Sequence, residues 1–353
     1  GIASSLLLHS SILSTINYDY AIFEVDEATL PLALKEMAPD YLILLNLFRD
    51  QLDRYGEVNT IANKWGDAIR HLLPKTKLIL NADDPQIANL GSSILSSRRS
   101  VTTERSHGIS PRQLTGRNDR KSLYFGLNDK KLAINTLPHA VDSTYCPNCN
   151  SKLFYNTIYY SHLGDWECRN CGNKRAKNIF SNPPPSPLSG SYNIYNILAA
   201  VLVTKNIGVS EQEIKSSLKS FTPAFGRQEI LKVDGKNVQI FLSKNPTSFN
   251  ESLRTIADLK APARNATQSV AGGKNVLLVL NDRIPDGRDV SWIWDVDFED
   301  YVEDFSKITI SGDRCNDMAL RIKYSVQSSK FKVQSYLAER DLASQDNSKV
   351  KIY

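Results

Sequence analysis

The N-terminal part of the chain sets short, wholly apolar runs between stretches of helical spacing. Ala21-Ile22-Phe23-Glu24-Val25, Tyr41-Leu42-Ile43-Leu44-Leu45-Asn46 and Lys77-Leu78-Ile79-Leu80-Asn81 read as strands, with a helix from Leu32 to Met37. Runs that are apolar at consecutive positions are buried on both faces, and with helices between them they form a parallel sheet covered on both sides. Ligands of such sheets sit at the carboxyl ends of the strands. Those ends carry Glu24, Asp26, Asn46, Asn81, Asp83 and Asp84, acids and amides of the kind a magnesium-nucleotide site needs.

Further along, residues 96–120 are rich in Ser and Arg and read as a surface loop. Pro183-Pro184-Pro185-Ser186-Pro187 is a stiff connector, and an amphipathic helix opens at Ser191 and runs through Ala200. A break in composition falls near Phe221-Thr222-Pro223-Ala224-Phe225-Gly226. Beyond it, β-prone runs at Val238–Leu242, Val276–Leu280 and Ile308–Ile310 are separated by helical stretches such as Asp317–Val326, which predicts a second, smaller α/β unit. Lys260 to Gly273, rich in Ala, Gly and Ser, reads as a surface insertion. The expected organisation is one domain over 1–222, interrupted by an insert at 140–176, and another over 223–353.

The insert holds the sharpest chemical pattern. Cys146-Pro147-Asn148-Cys149 and Cys168-Arg169-Asn170-Cys171 are two C-x-x-C pairs at the spacing of a structural zinc site. Four thiolates complete a tetrahedral shell with no open position for water, so such a site folds a module and does no chemistry. Two disulfides would need an oxidising compartment and would leave Cys315 over, and redox C-x-x-C pairs come singly near a βαβ unit. Leu153-Phe154-Tyr155 and Ile158-Tyr159-Tyr160 are β-prone, and Trp166 leads into the second pair, as in a zinc ribbon. Cys315 reads as an ordinary buried or half-buried thiol. His71, His107, His139 and His162 have no metal spacing and read as surface or core residues.

Composition narrows the class without deciding it. The 353 residues are 41% hydrophobic and 23% charged, ordinary for a soluble protein of two or three domains. A net charge of +5 permits anionic substrates such as nucleotides, and no basic run with interleaved aromatics argues for nucleic acid. No apolar stretch reaches the length of a membrane span, and the start lacks the basic region and cleavage site of a secretory leader. The chain starts on Gly1 and ends on a strand-like Val350-Lys351-Ile352-Tyr353, so both ends suggest a piece of a longer protein. A thiolate metal site and the missing leader favour the cytoplasm.

Several motifs now converge on a family. Asp50-Gln51-Leu52-Asp53-Arg54-Tyr55-Gly56-Glu57 resembles the D-H-L-D-x-H-G segment of the Mur ligases, the ATP-dependent amide-forming enzymes of peptidoglycan assembly. Asn81-Ala82-Asp83-Asp84-Pro85 is similar to their N-x-D-D-P turn. Gly190 with Asn193 and Asn196 resembles their G-x-x-N-x-x-N helix start, and Gly226-Arg227-Gln228-Glu229 resembles the G-R-x-E entry to their C-terminal domain. The matches cover nearly the whole chain in the right order. The variant Arg49-Asp50-Gln51-Leu52-Asp53-Arg54, the ribbon, and Asp286-Gly287-Arg288-Asp289-Val290-Ser291-Trp292 narrow the resemblance to the MurT branch, the synthetase subunits of lipid II isoglutaminyl synthases.

The resemblance implies a Mur ligase central ATP-binding domain with the ribbon inserted, then a C-terminal domain that meets a glutaminase partner of the GatD type. It implies ATP, Mg²⁺ and structural Zn²⁺, and lipid II as substrate at the inner membrane face. ATP would activate the α-carboxylate of the D-glutamate, and ammonia would displace phosphate to give D-isoglutamine. It also implies a phosphate-binding G-K-[ST] loop upstream of Gly1 and a last strand and helix beyond Tyr353, so the chain as given is expected to be inactive alone.

The resemblance also assigns residues, each with a blander alternative. Glu24 corresponds to the magnesium-binding glutamate, or is a solvated acid. Asn46 falls near the phosphates or metal. Gln51 replaces a metal-binding histidine. Asn196 lies near the nucleotide, or is a helix cap. Arg227 grips ATP phosphate or ribose, or forms an interdomain salt bridge. Asn81, Asp83 and Asp84 serve the base or ribose, or form an Asx turn, which Pro85 favours for Asp84. Lys244-Asn245-Pro246 resembles a turn that faces substrate. Asp289 completes the partner's Cys/His pair into a triad, or stabilises its own turn. Trp292 and Trp294 are core residues or interface anchors. The competing functions are a Mur-type ligase that adds an amino acid, and a non-catalytic Mur-like scaffold.

Overall fold

At the centre of the N-terminal unit lies a four-stranded parallel sheet, ordered β1 (Tyr41–Leu44), β2 (Lys77–Asn81), β3 (Ser122–Phe125), β6 (Ile179–Phe180). The computed structural model describes residues 2–10, 17–49, 58–96, 121–139, 141–223, 227–258, 274–283, 288–326 and 350–352. β2 shows why its sequence reads as a continuous apolar run. Leu78 and Leu80 join a core with Ile61, Trp65 and Ile69 of α3 (Val58–Arg70) and Ile87 of α4 (Pro85–Ser96). Ile79 points the other way, into a core with Phe125, and with Tyr195 and Leu198 of α5 (Ser191–Asn206). Each such buried side chain stabilises the fold by about 1.5–3 kcal/mol relative to exposure. Two shorter helices, α1 (Ile2–Leu8) and α2 (Leu30–Glu36), precede β1.

The polar signals at helix starts work as expected. Asp84 caps α4: its Oδ1 accepts from Gln86 N at 2.9 Å and Ile87 N at 3.2 Å, with Pro85 as the first helical residue. Ser210 and Glu213 close a capping box at the start of α6 (Glu211–Lys219).

The insert between β3 and β6 forms an antiparallel hairpin of β4 (Phe154–Tyr160) and β5 (Leu163–Glu167). The two β-prone runs expected before the second cysteine pair are therefore one strand. Past residue 226 comes a second hairpin, β7 (Arg227–Val233) with β8 (Lys236–Phe241), and then α7 (Pro246–Asp258). The C-terminal sheet is parallel, ordered β11 (Val350–Ile352), β10 (Phe305–Ser311), β9 (Lys274–Val279), with α8 (Cys315–Val326) packed against it. Its core joins Leu278, Ile308 and Ile310 to Ile293, Phe298 and Met318.

Some expectations are corrected. Ala21–Val25 is not a strand, and Ile22 is 94% exposed. An apolar run becomes a strand only when a neighbour completes its ladder, and among the described residues β1 pairs with β2 alone. The run Val238–Leu242 lies in the β7–β8 hairpin and not in the C-terminal sheet. Residues 97–120 and 259–273, expected as surface segments, lie outside the described residues. Among the described residues no helix is long and apolar enough to cross a membrane.

Gly312 is one position where only glycine fits. Its φ is +104°, and a Cβ there would lie 2.3 Å from Leu280 O. Gly312→Ala is expected to cost at least about 1–3 kcal/mol in denaturant unfolding. Gly235→Ala, at φ +74° with open space around it, should cost less. Equal losses would show that the contact with Leu280 carries no weight.

Candidate functional site

The two cysteine pairs form knuckles with the same backbone plan. Asn150 N donates to Cys146 O at 2.8 Å, and Gly172 N donates to Cys168 O at 2.9 Å. Cys146 N then bonds Ser151 O, and Cys168 N bonds Asn173 O. Each loop turns back through a left-handed residue, Asn150 at φ 56° and Gly172 at φ 74°, conformations that Asn and Gly tolerate best. The result brings all four Sγ atoms within 4.8 Å of one another. Cys146 and Cys171 are 3.5 Å apart, and Cys149 and Cys168 are 3.4 Å apart. Four sulfurs about 2.3 Å from a tetrahedral zinc would be roughly 3.8 Å apart, so the residues fit that ion.

The protonation of the thiols agrees with a cation site. Hydrogen bonds, first from the Asn170 side chain and then from Ser151, lower the Cys149 thiol to about 5. Cys171 receives the Asn173 N–H, which lowers it, but desolvation and the three other sulfurs push it up to about 12. Four sulfurs this close cannot all hold negative charge unless protons or a metal ion neutralise them. Among the described residues no other group of three or more His, Cys, Asp or Glu side chains converges in this way.

The ribbon is seated on the carboxyl end of β2. Trp166, 1% exposed, packs with Cys146, Cys168 and Ala88, and its Nε1 donates to Ala82 O at 3.0 Å. Gly164 N donates to Asp83 O at 3.0 Å. Arg175, just past the second knuckle, donates Nε and Nη2 to Asp83 Oδ1, both at 2.6 Å, and Nη2 also reaches Leu127 O. Asp83 Oδ2 accepts from Leu127 N at 2.8 Å and from Tyr195 Oη at 2.7 Å. Burial pushes the Asp83 carboxyl up to about 6, against the opposing pull of Arg175 and the other donors.

Asn81, Asp83 and Asp84 are fully buried and turned inward, in keeping with the turn alternative of their two readings. Asn81 Oδ1 accepts from Asp83 N in an Asx turn. Asp84 is a cap, as Pro85 suggested, and its Oδ2 also accepts from Leu47 N at 2.8 Å. His162 is a core residue, packed against Phe48 with ring centroids 4.9 Å apart and the planes tilted by 59°. Its Nε2 stands 3.5 Å from Asp84 Oδ2 without forming a hydrogen bond.

The remaining site residues are dispersed. Glu24 is exposed in irregular backbone, while neighbouring Asp26 is committed to the turn before α2, accepting from Ala28 N, Thr29 N and Thr29 Oγ1. Asn46 is half-buried beyond β1. Asn196 is exposed on α5 and reaches Asn193 at 3.5 Å. Arg227 opens β7, and its side chain, like all of Asp50–Glu57, lies outside the described residues. The described residues therefore do not assemble a magnesium shell. Asn245 caps α7 by accepting from Ser248 N at 2.8 Å. Asp289 is exposed, and its Oδ1 accepts from Ser291 N at 2.8 Å. Hydrogen bonding to the Ser291 hydroxyl, and then to its N–H, holds the carboxyl below the usual range. Trp292 packs beside Phe249 on the C-terminal core, whereas Trp294 is 45% exposed beside Tyr324.

Gln228, Glu251 and Arg49 join the two units, a role that the sequence did not signal for them. Gln228 is buried, and its amide accepts from Ser189 N at 3.0 Å and donates to Ser189 O at 2.7 Å, imitating a strand pair. Glu251 of α7 accepts from Ser191 N at 3.0 Å and pairs with Arg254. Arg49 binds Asp142 at 2.8 Å and reaches Asp295 at 3.5 Å.

Comparison with known proteins bears on this arrangement. Residues 3–138 match the Mur ligase middle domain, and residues 242–353 match the MurT ligase C-terminal model. The chain is 31% identical over 340 residues to the lipid II isoglutaminyl synthase (glutamine-hydrolyzing) subunit MurT of Staphylococcus aureus, covering 92% of this chain and 68% of that protein. The corresponding subunit of Streptococcus pneumoniae is 28% identical over 342 residues, with the same coverage. Among solved structures, a pseudomurein peptide ligase type C from Methanothermus fervidus matches with a TM-score of 0.56 at 20% identity. That match covers 88% of this chain and 57% of the other, and shows the fold.

Two outcomes test these centres. Cys168→Ser is expected to lower bound zinc, measured by metal analysis, and to lower the unfolding midpoint; unchanged metal content would refute the tetrathiolate site. A second test concerns Asp83, whose folded pKa of about 6 lies above the ordinary 3.8. The folded chain therefore keeps a proton that the unfolded chain releases. Stability contributed this way is full below about pH 4 and declines as pH rises to about 6. Between those limits the parent should lose about 3 kcal/mol relative to Asp83→Asn. Parallel stability profiles for the two proteins would contradict this.

Proposed function

We propose a function from one premise: the chain belongs to the MurT family of Mur ligases. It is the synthetase part of a lipid II isoglutaminyl synthase, an ATP-dependent carbon-nitrogen ligase of peptidoglycan assembly. The observation that carries this reading is the match to MurT subunits over 92% of the chain, with the MurT C-terminal model at 242–353. In this reading residues 1–222 are the central ATP-binding domain with its ribbon at 140–176, and 223–353 form the C-terminal domain.

The reaction transfers the terminal phosphoryl group of ATP to the α-carboxylate of the D-glutamate of lipid II and releases ADP. Ammonia nitrogen then attacks the acyl carbon, phosphate leaves, and the nitrogen gives up a proton to form the amide. The ammonia comes from a glutaminase subunit of the GatD type, and the work takes place in the cytoplasm at the inner membrane face. Zinc in the ribbon is structural: Cys146, Cys149, Cys168 and Cys171 would hold it. ATP and Mg²⁺ complete the cofactor set. Glu24, Asn46, Asn196 and Arg227 would hold the nucleotide and its metal.

Asp289 is placed at the partner. It is exposed and ionised, on a turn held by its own bond to Ser291 N. A carboxylate fixed by one oxygen is a rigid acceptor with which to orient a histidine on a neighbouring subunit. The bond to Ser291 also satisfies the alternative role as a turn stabiliser, so the test must separate the two.

That test uses the full-length protein purified with its glutaminase, supplied with ATP, Mg²⁺, lipid II and either glutamine or ammonium. Mass spectrometry should find carboxyl-to-amide conversion with both nitrogen sources. Asp289→Asn is expected to cut glutamine-driven amidation by at least about a hundredfold and to spare ammonium-driven amidation. Equal loss with both sources would move Asp289 into the ligase site or the fold. ATP turnover that requires an added amino acid would replace the amidation reading itself.

A further inference from the structure

Arg49 occupies a junction that neither the ligase chemistry nor the zinc site explains. It lies in the loop that leaves the carboxyl end of β1, the side of a parallel sheet where ligands bind. Its backbone N donates to Asp142 Oδ2 at 2.9 Å, and its Nε meets Asp142 Oδ1 at 2.8 Å. Asp142 belongs to the start of the ribbon insert and is 8% exposed, so this first leg is a well-formed, partly buried clamp. The other end of the same guanidinium, Nη2, stands 3.5 Å from Asp295 Oδ2 in the C-terminal unit.

Asp295 ends a short 3-10 helix, Ser291–Asp295, and Asp289, two residues before its start, accepts from Ser291 N at 2.8 Å. Arg321, 3% exposed, braces the segment from beneath: it donates to Ile293 O and Val296 O and forms two 2.7 Å bonds with Glu299. A segment tied at this many points moves as one piece, so a displacement of Asp295 carries Asp289 with it. Asp297 strengthens the same seam, accepting from His139 N and exchanging two 2.8 Å bonds with Asn250.

We propose that Arg49 is a positioning residue that holds the Asp289 segment in register with the strand-end loop of the central sheet, so that ammonia released at the partner is captured where the acyl group forms. The proposal rests on the amidation reading. It follows from the difference between the two legs. The Asp142 leg is partly buried and bidentate, and keeps Arg49 in place. The Asp295 leg is longer, with Asp295 38% exposed, and pairs of that kind contribute about 0–1 kcal/mol. Such a contact contributes little to folding and can still fix a register between two units.

Asp295→Asn removes the charge of the second leg and leaves Asp142 and Asp289 untouched. In the full-length complex with its glutaminase, the readout is the number of glutamines hydrolysed per amide formed, beside the rate with ammonium. Asp295→Asn should raise glutamine consumption per amide by about three- to fivefold and change the ammonium rate by less than about twofold. Arg49→Lys, which keeps the charge but cannot fork between two carboxylates, should do the same, and Asp295→Glu should restore coupling. An unchanged ratio in both variants, or equal loss with both nitrogen sources, overturns the proposal. A parent complex that forms no amide from either source would instead overturn the amidation reading beneath it.

Discussion

A carboxylate buried completely survives only if donors surround it, and Asp83 is the point where four parts of this protein meet, three of them as donors. The turn after β2 provides the carboxylate, the start of the loop after β3 provides Leu127 N, α5 provides Tyr195 Oη, and the irregular segment past the second knuckle provides Arg175. Removing one donor would leave the rest around an under-satisfied charge, at a cost of several kcal/mol. The geometry of one oxygen pair thus sets the distance between the sheet, the helix that covers it and the inserted ribbon. Trp166 and Gly164, bonded to the neighbouring carbonyls of Ala82 and Asp83, extend the same seat along the backbone.

That arrangement explains why a four-cysteine module is inserted here instead of appended at an end. A two-stranded hairpin alone is marginal in water, and β4–β5 has one face on the knuckles and another on the core below. Tyr159, Tyr160 and Leu163 belong to the core that contains Ile79 and Leu198, while Leu153 and Trp166 join the cysteines. The ion would close the outer end, and burial against the sheet closes the inner end. The hairpin is then rigid enough to hold Arg175 on Asp83.

What was legible beforehand follows the physics of each signal. Lys77–Asn81 read correctly because burial on both faces writes itself as an unbroken apolar run, and Tyr41–Leu44 is a strand as well although Ile43 leaves one of its faces 38% exposed. The cysteines read correctly because the knuckle is local: two thiols and a left-handed residue decide it within a few positions. Ala21–Val25 misled because a strand is a property of two chains, and apolarity does not name the neighbour. Asn81 and Asp83 stayed open between a nucleotide contact and an Asx turn because an acid or amide at a strand end has the same letter whether it faces solvent or Arg175. The role of Gln228 was invisible for a related reason. Its function is to imitate a backbone pair with Ser189, and the variable position of Gly226-Arg227-Gln228-Glu229 does not announce that.

The junction between the two units is graded, and the grading is informative. At one end Gln228 and the Glu251–Arg254 pair fasten the first turn of α5 through buried hydrogen bonds, contacts that are costly to break once formed. At another, Asp297 is shared by Asn250 of its own unit and His139 of the other. At the third, Arg49 reaches Asp295 across a longer and wetter gap. Order imposed by the first two contacts is a matter of folding, because their loss leaves buried polar groups without partners. The third can open without that penalty, since water replaces either charge. On the proposed reading, in which the Asp289 segment faces a partner, the weakest of these three contacts, Arg49 with Asp295, lies beside that segment.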